Sequence, residues 1–209
     1  MHMTQRVLVV GGGVAGLTAA VSLAQRGHAV TLVEREQLLG GQANTVCCKA
    51  INGVCQLCGA CLLADALEAA GHQAGLDMRT GTHLQDLSRA DGVLTATLLS
   101  PAGSVTIPCS ALVLATGFDH VDARTKGPYG YGILPAVISG EELERRLKVE
   151  GQATYDGPAL KRVAFVQCVG SRDEHAGRGY CSQVCCRYAL RLARVLKSRV
   201  PQVDITVFK

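Results

Sequence analysis

Ten cysteines are the residues of this 209-residue chain whose type and spacing most directly suggest chemistry. Nine of them fall into two groups, one between residues 47 and 61 and one between residues 168 and 186, while Cys109 stands alone. In a reducing compartment, clustered thiols are more often metal ligands or redox groups than structural disulfides. We therefore expect both groups to hold redox centres.

The second group has spacings of thirteen, four and one residues: Cys168, Cys181, Cys185 and Cys186. The first of these ends a predicted strand and the other three begin a predicted helix, so four thiolates could converge in one strand–helix–strand unit. Arg172, Arg187 and the helix dipole would favour their negative charge. Adjacent cysteines suit a multi-iron cluster better than one tetrahedral zinc ion, and the pattern predicts a 4Fe–4S cluster.

A glycine-rich loop, GGGVAG at residues 11–16, lies between a predicted strand and a predicted helix. Gly11 permits a tight turn, Gly13 lets the backbone approach a pyrophosphate, and Gly16 allows close helix–strand packing. Glu34 ends the next predicted strand, where a carboxylate can accept ribose hydroxyls. The predicted dinucleotide-binding residues here are Gly11, Gly13, Val14, Ala15, Gly16, Glu34 and Arg35.

The order of segments after this loop resembles the FAD domain of the disulfide-oxidoreductase flavoproteins. Gly41 and Gln42 closely follow the second strand, and a small hairpin sheet leads to LVLATG, which contains Thr116 and Gly117. In that family this late segment lies near the flavin nucleotide. The resemblance implies FAD rather than NAD in this first site and adds these four residues to it.

The first cysteine group contains CQLCGAC, whose Cys55, Cys58 and Cys61 have the CxxCxxC spacing of a ferredoxin-type loop. The usual fourth cysteine followed by proline is absent, so Cys47 or Cys48 would complete a second 4Fe–4S cluster. Two alternatives stay open. One is a redox dithiol facing the flavin, formed by Cys55/Cys58 or Cys47/Cys48, and the other is zinc. Metal coordination is favoured because five thiols exceed what one exchange couple needs.

Apolar periodicity supplies the elements that must position these residues. It predicts strands at residues 6–10, 28–34, 75–80, 93–99, 104–107, 111–115, 162–167 and 203–208, and helices at 14–26, 60–70, 140–149 and 182–197. The predicted fold is α/β, with a Rossmann-like FAD-binding domain at 1–120 that carries a Cys-rich insertion at 47–61. A linker at 121–160 leads to the first βαβ unit of a second, incomplete Rossmann-like domain at 161–209.

Composition excludes other classes of function. The net charge of +4 is modest and the Lys and Arg residues are not clustered among aromatic ones, which argues against nucleic-acid binding. No stretch reaches the length of a membrane span, and too few residues precede the first strand for a signal peptide. These features predict a cytoplasmic protein.

Three segments, FVQCVGSRDE, YCSQVCCRYAL and ATGFDHVDARTKGPYGYG, resemble the A-type subunit of heterodisulfide reductase and related proteins of sulfur metabolism. The resemblance implies a thioredoxin-reductase-like fold, FAD, and electron transfer among flavin, iron–sulfur clusters and partner redox subunits, ferredoxin among them. It also implies that the second cysteine group holds a cluster. Electron bifurcation, known in that family, is implied by analogy alone.

The sequence departs from ordinary disulfide reductases in its second domain. Their second glycine-rich loop, which binds NAD(P)H, is replaced by CVGSR at residues 168–172, so nicotinamide binding is not expected there. Later segments of the family are absent, and we expect a fragment or half of a split protein whose C-terminal half is a separate chain. An oxidoreductase subunit is predicted rather than a complete catalyst. Two other functions stay open: a thioredoxin-reductase-like dithiol enzyme, and a zinc-stabilised, non-redox assembly subunit that binds nucleotides.

Overall fold

The computed structural model describes residues 6–90, 93–149 and 160–209. The chain divides into two compact units. Unit 1 comprises Met1–Asn44 and Cys61–Phe118, and unit 2 comprises Thr45–Ala60 and Asp119–Lys209. Positions 150–159 of the predicted linker lie outside the described residues. Residues 45–60, which include most of the predicted Cys-rich insertion, cluster with unit 2.

Unit 1 is built on a Rossmann-like parallel sheet. Its elements are β1 (Arg6–Val10), α1 (Val14–Gln25), β2 (Ala29–Val33), α2 (Leu62–Gly71), β3 (Leu76–Arg79), β4 (His83–Ala90), β5 (Val93–Ser100), β6 (Gly103–Cys109) and β7 (Ala111–Leu114). The parallel sheet has the order β3-β2-β1-β7, and β4-β5-β6 form a separate three-stranded sheet. The two pairings of β1 are parallel: Val7 lies opposite Val30 of β2 and Ala111 of β7.

The parallel sheet of unit 1 is covered on both faces. Val7 and Val9 of β1 pack with Leu17 of α1 and Leu63 of α2 on one side. Leu8, which points the other way, belongs to a second core with Ala96 and Leu98 of β5. Because side chains alternate along a strand, a continuous apolar run such as RVLVV is what a sheet buried on both faces requires.

Unit 2 contains α3 (Gly140–Val149), β8 (Arg162–Val166), α4 (Cys185–Arg199) and β9 (Asp204–Phe208). The two strands pair in parallel and α4 connects them, which is the predicted βαβ unit. The core of unit 2 contains Leu192, Val195 and Leu196 of α4, Leu147 of α3, and Cys47 from the Cys-rich segment.

The predicted α/β class and the predicted elements are confirmed, with ends displaced by up to three residues. One strand was not predicted: β4, whose side chains are mostly exposed and whose polar sequence carries no alternating apolar pattern. Its pairing with β5 stabilises it instead. The predicted helix at 182–197 begins later, at Cys185, because Gln183 has a φ of 61°, which a right-handed helix does not allow.

Candidate functional site

The glycine-rich loop is placed at the carboxyl end of β1, directly before α1. Gly11 has a φ of 108°, and a Cβ added there would lie 2.2 Å from the Ala115 carbonyl oxygen. A Cβ on Gly16 would lie 1.8 Å from the carbonyl oxygen of Gly11. A Cβ on Gly13, in contrast, would meet nothing nearer than 4.0 Å. The loop therefore packs tightly at Gly11 and Gly16 and stays open at Gly13, which fits a pyrophosphate at the helix N-terminus.

Glu34 lies immediately after β2 and beside this loop. Its side chain is buried, and its carboxylate accepts hydrogen bonds from the backbone N–H of Gly12 at 2.6 Å and of Glu36 at 2.9 Å. The exposed Arg35 side chain lies 3.5 Å from the Glu36 carboxylate. The two hydrogen bonds fix an acidic group at the end of the second strand, the position at which a ribose acceptor was predicted.

The later predicted nucleotide residues reach the same end of the sheet. The backbone N–H of Gly40 donates to the carbonyl oxygen of Gly12 at 2.7 Å, which places Gly41 against the loop. The Gln42 side chain donates to the carbonyl oxygen of Phe118 at 2.5 Å. Thr116 and Gly117 follow β7 directly. The structure thus brings the predicted residues of the nucleotide site together at the carboxyl ends of β1, β2 and β7, where α/β sheets bind ligands.

The second cysteine group is divided between the end of β8 and the start of α4. Cys168 follows β8 by two residues, and Cys185 and Cys186 begin α4. Arg172 donates to the Cys168 thiol at 3.7 Å. Arg187, which was predicted to favour thiolate charge, lines a groove between α4 and β9.

The side chains of this group influence one another. Hydrogen bonds from Ser182, from the backbone N–H of Cys168 and from Cys186 lower the pKa of the Cys185 thiol, although burial opposes them. Desolvation, followed by the charges of Cys185 and Cys168, raises the pKa of the Cys186 thiol. Cys168, Cys185 and Cys186 therefore lie close enough to influence one another's charge, and Cys181 is exposed.

The first cysteine group is spread over several environments. Cys47 is buried in unit 2, Cys48 and Cys55 are exposed, and Cys58 is half-buried. Cys61 is exposed and directly precedes α2, within unit 1. A tight turn at residues 51–54, closed by two backbone hydrogen bonds, separates the adjacent pair from the CxxC part of the group.

The Cys58 thiol lies in an environment that lowers its pKa. Burial raises its pKa, but hydrogen bonds from the backbone N–H groups of Ala60 and Lys49, together with the Lys49 charge, lower it below the usual value. Backbone N–H donors of this kind stabilise a thiolate, which is the form that binds metal or attacks a disulfide. This environment suits a metal ligand or a redox thiol.

Both cysteine groups share an unusual backbone. Five non-glycine residues in the described ranges have a positive φ, and all lie within the two Cys-rich segments: Asn52, Leu57, Cys168, Arg172 and Gln183. In each group one of them donates its N–H to the thiol two residues earlier, Leu57 to Cys55 at 3.4 Å and Gln183 to Cys181 at 3.3 Å. Each left-handed residue costs about 1–2 kcal/mol, and such strain concentrates at functional sites.

No three Cys, His, Asp or Glu side chains within residues 6–90, 93–149 and 160–209 are arranged as a metal site. The donor set nevertheless suits an iron–sulfur cluster by its chemistry. Thiols predominate, several of them accept N–H groups of the backbone, and hydrogen bonds of this kind tune cluster potentials. The cysteine residues therefore fit an iron–sulfur cluster. Which of them are ligands remains a prediction from the spacing of the cysteines in the sequence.

A buried ion pair in unit 2 was missed from the sequence. The Lys49 ammonium lies 2.6 Å from the Glu144 carboxylate, and the side chains are 4% and 2% exposed. The same ammonium donates to the carbonyl oxygen of Cys47 at 2.9 Å and to its sulfur at 3.4 Å. The sequence did contain one signal for this pair. Glu144 lies between Leu143 and Leu147 in α3, and a carboxylate buried among apolar side chains needs a cation beside it.

Comparisons with known proteins bear on the family and the fold of the chain. The model of the pyridine nucleotide-disulphide oxidoreductase family matches residues 5–166. An iron-sulfur subunit of CoB–CoM heterodisulfide reductase from Methanopyrus kandleri, of the A type, is 28% identical over an alignment of 287 positions, gaps included. The alignment covers 100% of this chain and 44% of that protein. The A-type subunit of H(2):CoB-CoM heterodisulfide,ferredoxin reductase from Methanothermobacter thermautotrophicus is 41% identical over 110 residues, covering 50% of this chain and 17% of that protein. The chain thus spans less than half the length of these curated relatives.

Among solved structures, L-proline dehydrogenase from P. horikoshii shares the fold with a TM-score of 0.52 and 17% identity, covering 97% of this chain and 36% of that one. The predicted fold class and the predicted resemblance to the A-type subunit of heterodisulfide reductase are thereby confirmed. Across the described part of the chain, no helix combines the length and the apolar character needed to span a bilayer.

Proposed function

Because the chain belongs to the pyridine nucleotide-disulphide oxidoreductase family, we propose that it is a flavin- and iron–sulfur-dependent electron-transfer subunit of a heterodisulfide-reductase-like complex. Its FAD would lie at the glycine-rich loop of unit 1, and its 4Fe–4S clusters would be held by the two cysteine groups. The observation that carries the proposal is the confinement of every described non-glycine residue with a positive φ to those two groups.

The residues proposed to hold FAD would contact it through the backbone of the glycine-rich loop and the carboxylate of Glu34. Gly11 and Gly16 allow the close packing of the loop, and Gly13 leaves open the approach to the N-terminus of α1, whose dipole favours the phosphates. The Glu34 carboxylate, fixed by two backbone N–H groups, would accept the ribose hydroxyls. Bound FAD would supply exchange between electron pairs and single electrons. The chain's residues bind and orient it.

The proposed cluster ligands of unit 2 are Cys168, Cys181, Cys185 and Cys186. Strain supports this assignment, because Cys168 and Gln183 adopt left-handed conformations, and the N–H of Gln183 donates to the Cys181 thiol at 3.3 Å. Arg172 and the N-terminus of α4 would stabilise the negative charge of a cluster. A cluster held there would supply one-electron transfer.

The proposed partners follow from the relatives. Those named above are subunits of heterodisulfide reductases, and the name of one includes ferredoxin. We extend this to the present chain: other redox subunits of such a complex, and a ferredoxin, would exchange electrons with it.

One observation favours a second candidate. The lowered pKa of Cys58 would also suit a thioredoxin-reductase-like enzyme that uses Cys55 and Cys58 as a dithiol. In that case both thiols would be free to react with an alkylating reagent after reduction. In the cluster function they would react only after the iron is removed.

The test is the content of iron, acid-labile sulfide and flavin per chain, measured on protein purified and reconstituted without oxygen. We expect about eight irons for two clusters, and about four after Cys186→Ala removes one ligand of the unit 2 cluster. Cys109→Ala, which removes the lone cysteine, is the control and should leave the iron content unchanged. Absence of iron from the reconstituted wild type would overturn the proposal, and zinc in its place would favour the assembly subunit.

A further inference from the structure

Two adjacent cysteines of the first group, Cys47 and Cys48, lie in opposite environments. Cys47 is 1% exposed, Cys48 is exposed, and Lys49 is again buried at 4%. We infer that Cys48, and not Cys47, supplies the upstream ligand of the cluster in this group, whereas Cys47 anchors the segment in the core of unit 2. This inference rests on the proposed function and deepens it.

The surroundings of Cys47 leave no room for a cluster. Its side chain packs with Leu147 of α3 and with Leu192 and Leu196 of α4. Protein interiors are packed as densely as organic crystals, so an inorganic cluster at this sulfur would have to displace the helices. The sulfur already accepts a hydrogen bond from Lys49. Its environment is that of a core side chain.

The backbone around Cys47 is fixed as well. Its N–H donates to the Glu144 carboxylate at 2.8 Å, and its carbonyl oxygen accepts from the Lys49 ammonium at 2.9 Å. The Lys49 ammonium is in turn paired with Glu144. Buried charges are retained when they are paired and hydrogen-bonded, as here. Both neighbours of Cys48 in the chain are therefore held inward, which leaves the Cys48 side chain directed away from the core.

Cys58 places a second thiol near Cys48, on the side of the segment that faces away from the core of unit 2. Its sulfur accepts a hydrogen bond from the backbone N–H of Lys49, so it lies beside the peptide that joins Cys48 to Lys49. The turn at residues 51–54 reverses the chain between the two cysteines, and Cys55 directly after it is also exposed. Cys48, Cys55 and Cys58 are thus the thiols of unit 2 in this segment that remain accessible to iron.

The test compares Cys48→Ala with Cys47→Ala in the full chain, reconstituted without oxygen. We expect Cys48→Ala to halve the iron and sulfide content, from about eight to about four irons per chain, and to remove one of two reduced-cluster signals in low-temperature electron paramagnetic resonance. Cys47→Ala should keep both signals while lowering the melting temperature. Cys47→Ser, which retains an acceptor for Lys49, should keep both signals with a smaller loss of stability.

Alkylation with iodoacetamide, read by mass spectrometry, gives an independent result. Cys48 should be protected in the reconstituted protein and become reactive once the iron is chelated, whereas Cys47 should react only after denaturation. Full iron in Cys48→Ala, or an altered cluster signal in Cys47→Ser, would overturn the inference. A wild type with about four irons that Cys48→Ala leaves unchanged would also overturn it while the proposed function stands. A wild type without iron would overturn both.

Discussion

At the scale of single residues, the strained backbone conformations occur in the segments where redox chemistry is expected. Within the described ranges, the five left-handed non-glycine residues lie in the Cys-rich segments, and asparagine is the one among them that tolerates this conformation well. Leucine, cysteine, arginine and glutamine do not, and the surrounding hydrogen bonds must compensate. Leu57→Gly would relieve the strain at this position without removing a thiol. Its effect would therefore report on backbone strain alone, and not on the loss of a cluster ligand.

The effect of substituting Gly11 can be predicted and tested, because Gly27 has a similar backbone conformation and serves as a control. Gly11 and Gly27 both have a positive φ, but a Cβ at Gly27 meets nothing within 4 Å. We expect Gly27→Ala to cost about 1 kcal/mol from backbone conformation alone. Gly11→Ala should cost at least about 2 kcal/mol more, because its Cβ collides with Ala115, and it should abolish flavin retention. Thermal unfolding and the flavin absorbance after gel filtration measure both effects. Equal effects of the two substitutions would contradict the tight packing of the loop.

At the scale of elements, α3 begins with a capping box. The Ser139 N–H donates to the Glu142 carboxylate at 2.7 Å, and the Glu142 N–H donates to the Ser139 hydroxyl at 3.1 Å. Partial burial raises the pKa of Glu142, but hydrogen bonds from Ser139 and Tyr131 and the charge of Arg146 lower it below its usual value. The pattern S-x-x-E was readable from the sequence and marks this helix start.

This lowered pKa predicts a pH dependence with a definite sign. A carboxyl group with a depressed pKa in the folded state stabilises the fold above its unfolded pKa, and that stabilisation is lost as the pH falls through the folded pKa. Glu142→Gln should therefore cost about 1 kcal/mol at pH 7 and progressively less below about pH 4.5. Urea unfolding at a series of pH values measures it. A cost that stays constant down to pH 3 would contradict the assignment.

The buried pair of Lys49 and Glu144 gives a second element-scale prediction. Glu144→Gln leaves a buried ammonium without its counter-charge and should cost about 3–5 kcal/mol. Glu141 on the same helix forms an exposed pair with Arg145 at 3.2 Å, and Glu141→Gln should cost less than about 1 kcal/mol. The free energy of unfolding in urea compares the two substitutions. If both costs proved small, the buried pair would not anchor the Cys-rich segment.

At the scale of the whole molecule, the Cys-rich segment folds with the later part of the chain. Residues 45–60 belong to unit 2, and two side-chain contacts join them to α4: Arg194 with Gln56 at 3.1 Å, and Ser198 with Asn52 at 3.3 Å. The stability of the second cysteine group, and of the first apart from Cys61, therefore depends on the core of unit 2. For an electron-transfer protein, this arrangement would give the proposed cluster sites a common support.

Hydrogen exchange tests this grouping. In Glu144→Gln, we expect amides of residues 45–60 and of α4 to exchange faster, by roughly a hundredfold if about 3 kcal/mol is lost. Amides of β1 and α1 should keep their wild-type rates, because their contacts lie within unit 1. Mass spectrometry of peptides from both units measures the difference. Uniform acceleration throughout the chain would show that the units do not unfold separately.

The sequence alone determined the features that are local in the chain. The βαβ unit around GGGVAG and the second βαβ unit, with Cys168 after its first strand and Cys185 and Cys186 at the start of its helix, were predictable. Periodicity, glycine spacing and strand–helix order are encoded over short distances. Polar β4 escaped prediction because its strand conformation depends on its pairing partner.

Only the tertiary structure decided which of two adjacent cysteines is buried. Cys47 and Cys48 are equivalent in the sequence, but Glu144, 97 residues away, binds the N–H of Cys47 and pairs with Lys49. The grouping of residues 45–60 with unit 2 was likewise set by α3 and α4. Burial is a property of segments that meet from distant parts of the chain, and spacing along the chain carries no information about it.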